Sequence, residues 1–147
     1  MRKGLLLLAV LTAATGAHAQ LLPILQKRGT AQPVLQGIDA LRADFAAQAG
    51  GTTVYYGAGS TVLGAPAKAA LALQAAWLRR HPEVLVRIEG YGDAGDTRDH
   101  ALAVGARRAE EARAYLLLLG VPSAQVSITS WGKERPGLGR AVTLLVR

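Results

Sequence analysis

The chain has 147 residues, 50% of them apolar and 18% charged, with 17 Lys and Arg against 10 Asp and Glu and a formal net charge of +7. This length suits one domain with a short extension, and it excludes a two-domain enzyme with a separate cofactor module. The apolar content argues against intrinsic disorder. Because the chain has no cysteine, disulfides, thiolate zinc sites, catalytic thiols and a thioether-linked lipid anchor are excluded.

Residues 1–19 have the layout of a secretory signal peptide. Arg2 and Lys3 precede an apolar run, and Ala17-His18-Ala19 forms a small-residue cleavage motif. The apolar run of roughly 11 residues is shorter than the ~20 needed to cross a bilayer. We therefore expect export to the periplasm with cleavage after Ala19, and no transmembrane segment in the mature chain. Export also excludes chromosomal nucleic acid, the partner that the basic composition first suggests.

Residues 20–51 predict a linker followed by one amphipathic helix. Pro23 and Gly29 interrupt the first part, and apolar residues then recur at three- and four-residue steps within residues 33–48, namely Leu35, Ile38, Leu41 and Phe45. This stripe has two interpretations: it packs on the domain that follows, or it mediates self-association or binding to an envelope protein. Two heptads are short for a coiled coil, which favours the first interpretation.

From residue 52 onward, strand and helix patterns alternate. The predicted strands are 52–56, 84–91, 125–131 and 141–146, and the predicted helices are 67–80 and 99–119. In the second helix, the predicted apolar stripe comprises Leu102, Ala109, Ala112 and Leu116. The order β-α-β-α-β-β predicts an α+β fold, a two-layer sandwich in which the helices pack on one face of a small mixed sheet.

Residues 52–147 contain a series of short motifs that occur together in one known family. They are Ala76-Trp77-Leu78, His81-Pro82, Ile88-Glu89-Gly90, Asp93, Thr97-Arg98, Leu102-Ala103, Gly105, Arg107-Arg108-Ala109, Tyr115-Leu116, Gly120-Val121 and Trp131-Gly132-Lys133-Glu134-Arg135-Pro136. Together these motifs resemble the OmpA C-terminal-like domain family. The resemblance does not include residues 20–51. It implies a non-enzymatic periplasmic domain of the Gram-negative cell envelope, which binds the peptide stem of peptidoglycan without covalent chemistry.

The resemblance also implies the binding residues. In the family, an Asp after the second strand holds the ammonium of diaminopimelate and an Arg on the next helix holds its carboxylate; the matching positions are Asp93 and Arg108. A zwitterionic ligand needs one fixed anion and one fixed cation, and a guanidinium can donate two parallel hydrogen bonds to a carboxylate. Tyr91, Thr97 and Arg98, from the same motif, complete the expected peptidoglycan-binding set.

The chain departs from the family pattern around this site. Tyr91-Gly92-Asp93 replaces His-Thr-Asp or His-Ala-Asp, Ala101 replaces a signature Asn, and Gly57-Ala58-Gly59 replaces Phe-Asp-x-Asp. The lost polar groups leave an alternative, a protein–protein interaction module of the envelope without wall binding. An open pocket between Asp93 and Arg108 would favour wall binding, whereas Arg108 buried in an internal ion pair would favour the interaction module.

We expect neither catalysis nor a cofactor or metal. His81 and His100 have no evident third ligand, and Asp93, Asp96 and Asp99 lack the alternating spacing of a calcium-binding loop. Lipoproteins of the family carry an acylated cysteine that this chain does not have. The expected location is therefore the periplasm, peripheral to the wall or the outer membrane.

Overall fold

The computed structural model describes residues 33–135 and 139–146. Along these residues follow α1 (Pro33–Gln48), β1 (Thr53–Tyr55), α2 (Ala65–Arg80), β2 (Val86–Tyr91), α3 (Arg98–Leu118), a 3₁₀ helix (Ser123–Gln125), β3 (Val126–Gly132) and β4 (Arg140–Leu145). The predicted signal peptide and the linker up to residue 32 lie outside the described residues. Within the described range, no helix is both long and apolar enough to span a membrane.

The predicted order of strands and helices from residue 52 onward is confirmed, and the ends of the elements differ by up to two residues. The short 3₁₀ helix before β3 was not predicted. Its last amide, on Gln125, donates to the carbonyl of Pro122 at 3.0 Å, a local contact that leaves no periodic pattern in the sequence.

The four strands form one mixed sheet in the order β1-β4-β2-β3. β2 runs parallel to β3 and antiparallel to β4, and β4 also pairs with β1 in the antiparallel sense. The parallel pair requires a crossover connection, which α3 supplies. The predicted two-layer α+β sandwich is confirmed.

The core lies between the sheet and the two helices α2 and α3. Among its fully buried apolar side chains are Leu71, Trp77 and Leu78 of α2, Ile88 of β2 and Leu116 of α3. α3 lies directly on β2, because a Cβ placed on Gly90 would come within 1.9 Å of the Gly105 carbonyl oxygen. This close approach brings the middle of α3 beneath the loop that follows β2.

The buried stripe of α3 differs from the predicted one. Leu102 is exposed, and the buried positions are Ala101, Val104, Gly105, Arg108, Ala109, Ala112 and Leu116. The prediction for Leu102 is wrong because the small residues Ala101 and Gly105 face the sheet, which places Leu102 beside the contact rather than in it. The same orientation puts Arg108 on the buried face.

Helix α1 packs on the domain, which is the first of the two interpretations of its apolar stripe. Phe45 and Ala49 are fully buried in the common core, and Ile38 and Leu41 pack against it. The rings of Phe45 and Trp77 meet edge to face at 5.0 Å, and the Trp77 Nε1–H donates to Asp44 Oδ2 at 2.7 Å. The side chain of Leu35 lies outside the described residues.

Candidate functional site

The site is formed where the chain turns after β2. Gly92 leaves no room for a side chain, because a Cβ there would lie 2.5 Å from the carbonyl oxygen of Ala101. The Gly92 amide donates to the Gly132 carbonyl, and its own carbonyl accepts from the Gly139 amide, at 2.8 and 2.9 Å. The turn is thus fixed by the last residue of β3 and by the residue before β4, and Asp93 follows directly after it. Gly92 and Ala101, which depart from the family pattern, therefore fit each other as a packed pair.

Arg108 reaches this turn from α3, and its side chain is completely buried. Nε donates to the Ser60 carbonyl at 2.8 Å. Nη1 donates to the Tyr91 carbonyl at 2.8 Å and to Asp93 Oδ1 at 3.1 Å, and Nη2 donates to the Gly57 carbonyl at 3.2 Å and to Asp93 Oδ2 at 3.1 Å. A guanidinium has five N–H donors, so each of them has a partner within the chain.

Tyr56 contacts both the side chain and the backbone of Arg108. The guanidinium lies 5.4 Å from the centre of the Tyr56 ring, and the Tyr56 hydroxyl donates to the Arg108 carbonyl at 2.7 Å. Burial raises the pKa of Tyr56 far above its ordinary value, so the hydroxyl keeps its proton and remains a donor. Both the side chain and the backbone of Arg108 are therefore held in place.

Asp93 is the part of this network that reaches the surface. Its side chain is 25% exposed, and Oδ2 also accepts from the Gly59 amide at 2.8 Å. Hydrogen bonds from Arg108 lower the pKa of Asp93, partial burial opposes this, and the Gly59 amide lowers the pKa further. A carboxylate offers about four acceptor positions, of which three are used here, so Oδ1 can accept one more donor. The site therefore presents a fixed anion.

The structure separates the five expected site residues into three groups. Asp93 and Arg108 meet directly. Tyr91 contributes its carbonyl to Arg108, but its hydroxyl donates to Glu89 Oε2 at 3.0 Å on the sheet face away from α3. Thr97 caps α3 by accepting from the His100 amide, and Arg98 is 76% exposed. Of the two arrangements considered for Asp93 and Arg108, the structure has the internal ion pair with a buried Arg108, the one expected for an interaction module, and not an open gap between the two side chains.

Sequence reasoning missed the contribution of the loop after β1. Gly57 and Ser60 supply carbonyls to Arg108, and Gly59 supplies an amide to Asp93. The replacement of the family's polar residues by Gly57-Ala58-Gly59 therefore leaves a loop whose backbone takes part in the site. Contacts made by backbone atoms do not depend on a particular side chain, so the sequence does not identify them. The only signal in the sequence is the small size of the residues in this loop, which allows its backbone to come close to other groups.

Two basic side chains connect the loop after β3 with the loop after β2 and with the start of α3. Lys133 Nζ donates to the Asp96 carbonyl at 2.5 Å, and Arg98 Nε donates to Glu134 Oε1 at 2.7 Å, so the loop after β3 is tied to the loop after β2. Among residues 33–135 and 139–146, no group of three His, Asp or Glu residues is placed to hold a metal ion.

The fold and the site define an α+β domain that presents a preformed carboxylate after its second strand. The chain belongs to the OmpA family, whose model matches residues 55–141.

The curated relatives include the peptidoglycan-associated lipoproteins of Rhizobium meliloti and Pseudomonas aeruginosa. The Rhizobium meliloti protein is 42% identical over 86 residues, which cover 58% of this chain and 49% of the relative. The Pseudomonas aeruginosa protein is 38% identical over 99 residues, which cover 67% of this chain and 58% of the relative. This chain thus spans about half the length of the curated relatives it matches.

Solved structures agree with this assignment. The peptidoglycan-associated lipoprotein of Burkholderia pseudomallei superposes with a TM-score of 0.63 at 32% identity, covering 65% of this chain and 91% of that one. The C-terminal domain of Helicobacter pylori MotB shares the fold at 18% identity, with a TM-score of 0.55 over 60% of this chain and 78% of that one. The family and the relationship to these lipoproteins are therefore confirmed.

Proposed function

We propose that this chain is a non-enzymatic peptidoglycan-binding protein of the periplasm. It binds the diaminopimelate-containing peptide stem at the Asp93–Arg108 site. Two kinds of support converge: the relatives at about 40% identity are named for their association with peptidoglycan, and the site holds an ionised, partly exposed carboxylate. The carboxylate of Asp93 is the observation that carries the proposal, because it suits the ammonium group of the stem.

In this site the two residues have different tasks. Asp93 offers Oδ1 to the ligand ammonium, an ion pair that is also a hydrogen bond. Arg108 holds Asp93 in place by donating from Nη1 to Oδ1 and from Nη2 to Oδ2, at 3.1 Å each. The site is thus organised before the ligand arrives, which reduces the entropy that binding must overcome.

Co-sedimentation with isolated peptidoglycan tests the proposal. Asp93→Asn keeps the shape of the side chain and removes its charge, and it should abolish co-sedimentation while the variant remains folded by circular dichroism. Asp99→Asn removes the same charge from an exposed position in the first turn of α3 and should bind like the unmodified chain. If the Asp93→Asn variant sediments with the wall as well as the Asp99→Asn variant does, the proposed site is wrong.

The location follows from the same proposal. The signal peptide predicted at residues 1–19 would deliver the chain to the periplasm, where the wall is found. Cell fractionation with an antibody against the chain checks this, since the protein should appear in the periplasmic fraction, with an N-terminus at Gln20. Recovery of the unprocessed chain in the cytoplasm would contradict it.

A second candidate is a protein-interaction module of the envelope without wall binding. The observation that favours it is the internal pairing of Arg108, whose donors all have partners within the chain. In its self-association form it predicts that the molecular mass of the exported chain, measured by sedimentation equilibrium, rises with concentration. A monomer mass at all concentrations, together with wall binding, would leave only the first candidate.

A further inference from the structure

We propose that the outer edge of β1 pairs with the same edge of a second copy of this chain, so that the two sheets join into one. β1 is the first strand in the sheet order β1-β4-β2-β3, and within residues 33–135 and 139–146 no strand pairs with its other edge. This inference goes beyond the proposed function and does not depend on it, because Asp93 follows β2 and takes no part in the pairing.

The first step of the argument is the direction of the backbone groups of β1. The Thr52 carbonyl accepts from an amide of β4 at 2.8 Å, and the Tyr56 amide donates to the carbonyl of the residue before β4 at 2.9 Å. In an antiparallel pair, alternate residues of a strand direct their backbone groups toward the neighbouring strand. Thr53 and Tyr55 therefore direct their N–H and C=O groups away from β4, where no strand among the described residues meets them.

The other edge strand, β3, has a charged side chain bound to its backbone. Arg113 of α3 donates from Nε to the carbonyl of Val126, the first residue of β3, at 3.1 Å. Charged side chains and bulges at an edge hinder pairing with a further strand. β1 has neither, since Thr53, Val54 and Tyr55 are uncharged and pair with β4 in a regular register. Of the two edges, that of β1 is therefore the one open to a further strand.

The register of this edge favours a second copy as the partner. If Val54 lies on a two-fold axis, Thr53 of each copy stands opposite Tyr55 of the other, and each such pair exchanges both of its backbone hydrogen bonds. The Tyr55 side chain is 68% exposed, and it would lie beside Thr53 of the other copy as an aromatic and β-branched cross-strand pair. The edge thus meets the requirement of a two-fold dimer, in which one surface contacts its own copy.

An apolar surface continues from this edge onto α2. A groove of about 100 Å³ lies between the strand and the helix, lined by Thr53, Val54, Tyr55, Pro66, Ala67 and Ala70. Leu73 follows Ala70 by three residues on the same side of α2, and its side chain is 50% exposed. Because β1 has only three residues, pairing of its backbone alone would be weak. Burial of this apolar surface would supply further free energy of association.

The spacing of helices and strands allows the two α2 helices to meet. Gln74 of α2 accepts a hydrogen bond from Thr143 of β4, and the groove lies between α2 and β1, so α2 lies over these two strands. Packed helices lie about 8–10 Å apart, which is about twice the strand spacing of ~4.8 Å. Joining two sheets at β1 would therefore bring the α2 helices of the two copies to packing distance, with Leu73 on the facing surfaces.

Sedimentation equilibrium of the exported chain over a range of concentrations tests the inference. The mass should rise from that of one copy to that of two and no further, because a two-fold contact is closed. Thr53→Pro removes an outward N–H and no hydrogen bond to β4, and Leu73→Lys places like charges on the two facing helices. Each substitution should raise the dissociation constant of the dimer at least about tenfold.

Two matched controls accompany these variants. Thr53→Val keeps the backbone N–H, and Ala72→Lys adds the same charge at an exposed position of α2 that is turned about 100° from Leu73 around the helix. Both controls should keep the dissociation constant within about threefold of that of the unmodified chain. Circular dichroism checks that each variant is folded, and if Thr53→Pro does not fold, Leu73→Lys and its control decide the outcome.

Two results would overturn the inference. One is the mass of a single copy at every concentration. The other is a dimer that Leu73→Lys weakens no more than Ala72→Lys does, because a different surface would then hold the two copies together. Asp93→Asn, the substitution that tests wall binding, should leave the dimer mass unchanged, so failure of the dimer and failure of the proposed function are observed separately.

Discussion

Two carboxylates of this domain, those of Asp93 and Asp44, are each held by a buried side chain, but only Asp93 is held by a buried charge. Asp93 accepts from the guanidinium of Arg108, and Asp44 accepts from the indole of Trp77. Hydrogen bonds from these donors are the largest cause of the lowered pKa of both carboxyl groups. Both are therefore stable anions, yet their surroundings differ.

The difference lies in the donor. Trp77 is neutral and has a single N–H, and most of its contribution comes from burial of its ring against Phe45 and the core. Arg108 is charged and has five N–H groups, each of which needs a partner once the residue is buried. Losing Asp44 removes its hydrogen bonds with Trp77 and Gln48 but leaves no buried charge, whereas losing Asp93 leaves the buried charge of Arg108 uncompensated. A fixed charge at the surface thus depends on an extensive buried network.

The largest expected effect is that of Arg108→Ala. The substitution leaves the acceptors of the site without donors, and breaking a buried ion pair from one side costs about 3–5 kcal/mol. The free energy of unfolding, measured by urea denaturation, should fall by this amount. Arg107→Ala, which removes the exposed neighbour on the same helix, is the matched control and should change it by less than about 0.5 kcal/mol. Equal effects of the two substitutions would contradict the buried network.

Asp93→Asn should have the next largest effect on stability. The amide can still accept one hydrogen bond from Arg108, but the buried guanidinium loses its counter-charge. We expect the free energy of unfolding to fall by about 2–3 kcal/mol in the same denaturation experiment. A change near zero would mean that solvent reaches Arg108 and compensates its charge.

Asp44→Asn should cost less than Asp93→Asn. The substituted amide oxygen can still accept from Trp77 Nε1, and no buried charge is left behind. Measured side by side, the unfolding midpoint in urea should fall less for Asp44→Asn than for Asp93→Asn. The reverse order would mean that the attachment of α1 by Asp44 matters more to the fold than the ion pair of the site.

The smallest expected effect is on how the stability of the domain changes at low pH. Because Arg108 lowers the pKa of Asp93 in the folded state, the stabilisation is fully present above the ordinary carboxyl pKa of 3.8. It is lost as the pH falls below 3.8 through the lower folded-state value. The stability of the Asp93→Asn variant, followed by urea denaturation as the pH is lowered through this range, should therefore fall less steeply than that of the unmodified chain. Parallel curves for the two proteins would contradict the assigned cause of the pKa shift.

Much of the fold could be predicted from the sequence, because its elements have regular apolar patterns. The alternation over 84–91 predicts a strand with one buried face, and Pro66 and Gly120 mark helix ends. The prediction failed for the rotation of α3 about its own axis, which decides which of its residues face the sheet. Its contact with β2 is made by Ala101 and Gly105, whose small size matters more than their hydrophobicity, and the bulkier Leu102 was therefore misplaced.

The site was predictable only in part. The resemblance to the OmpA C-terminal-like domain family indicated Asp93 and Arg108 as a pair. The spacing along α3 could also have placed Arg108 on the buried stripe, since it lies four residues after Val104 and four before Ala112. The carbonyls that saturate its donors belong to the backbone of distant segments, and side-chain patterns do not identify such acceptors.

Hydrogen exchange of the arginine side chains, measured by NMR on the free and the peptide-bound chain, tests the central claim most directly. The Arg108 Nε–H is buried and donates to Ser60, whereas the Arg98 Nε–H lies on the surface. We expect the Arg108 signal to exchange much more slowly than the Arg98 signal and to stay protected when the stem peptide binds to Asp93. Exchange of Arg108 as fast as that of Arg98, or a loss of its protection on binding, would contradict a buried arginine that positions Asp93 without contacting the ligand.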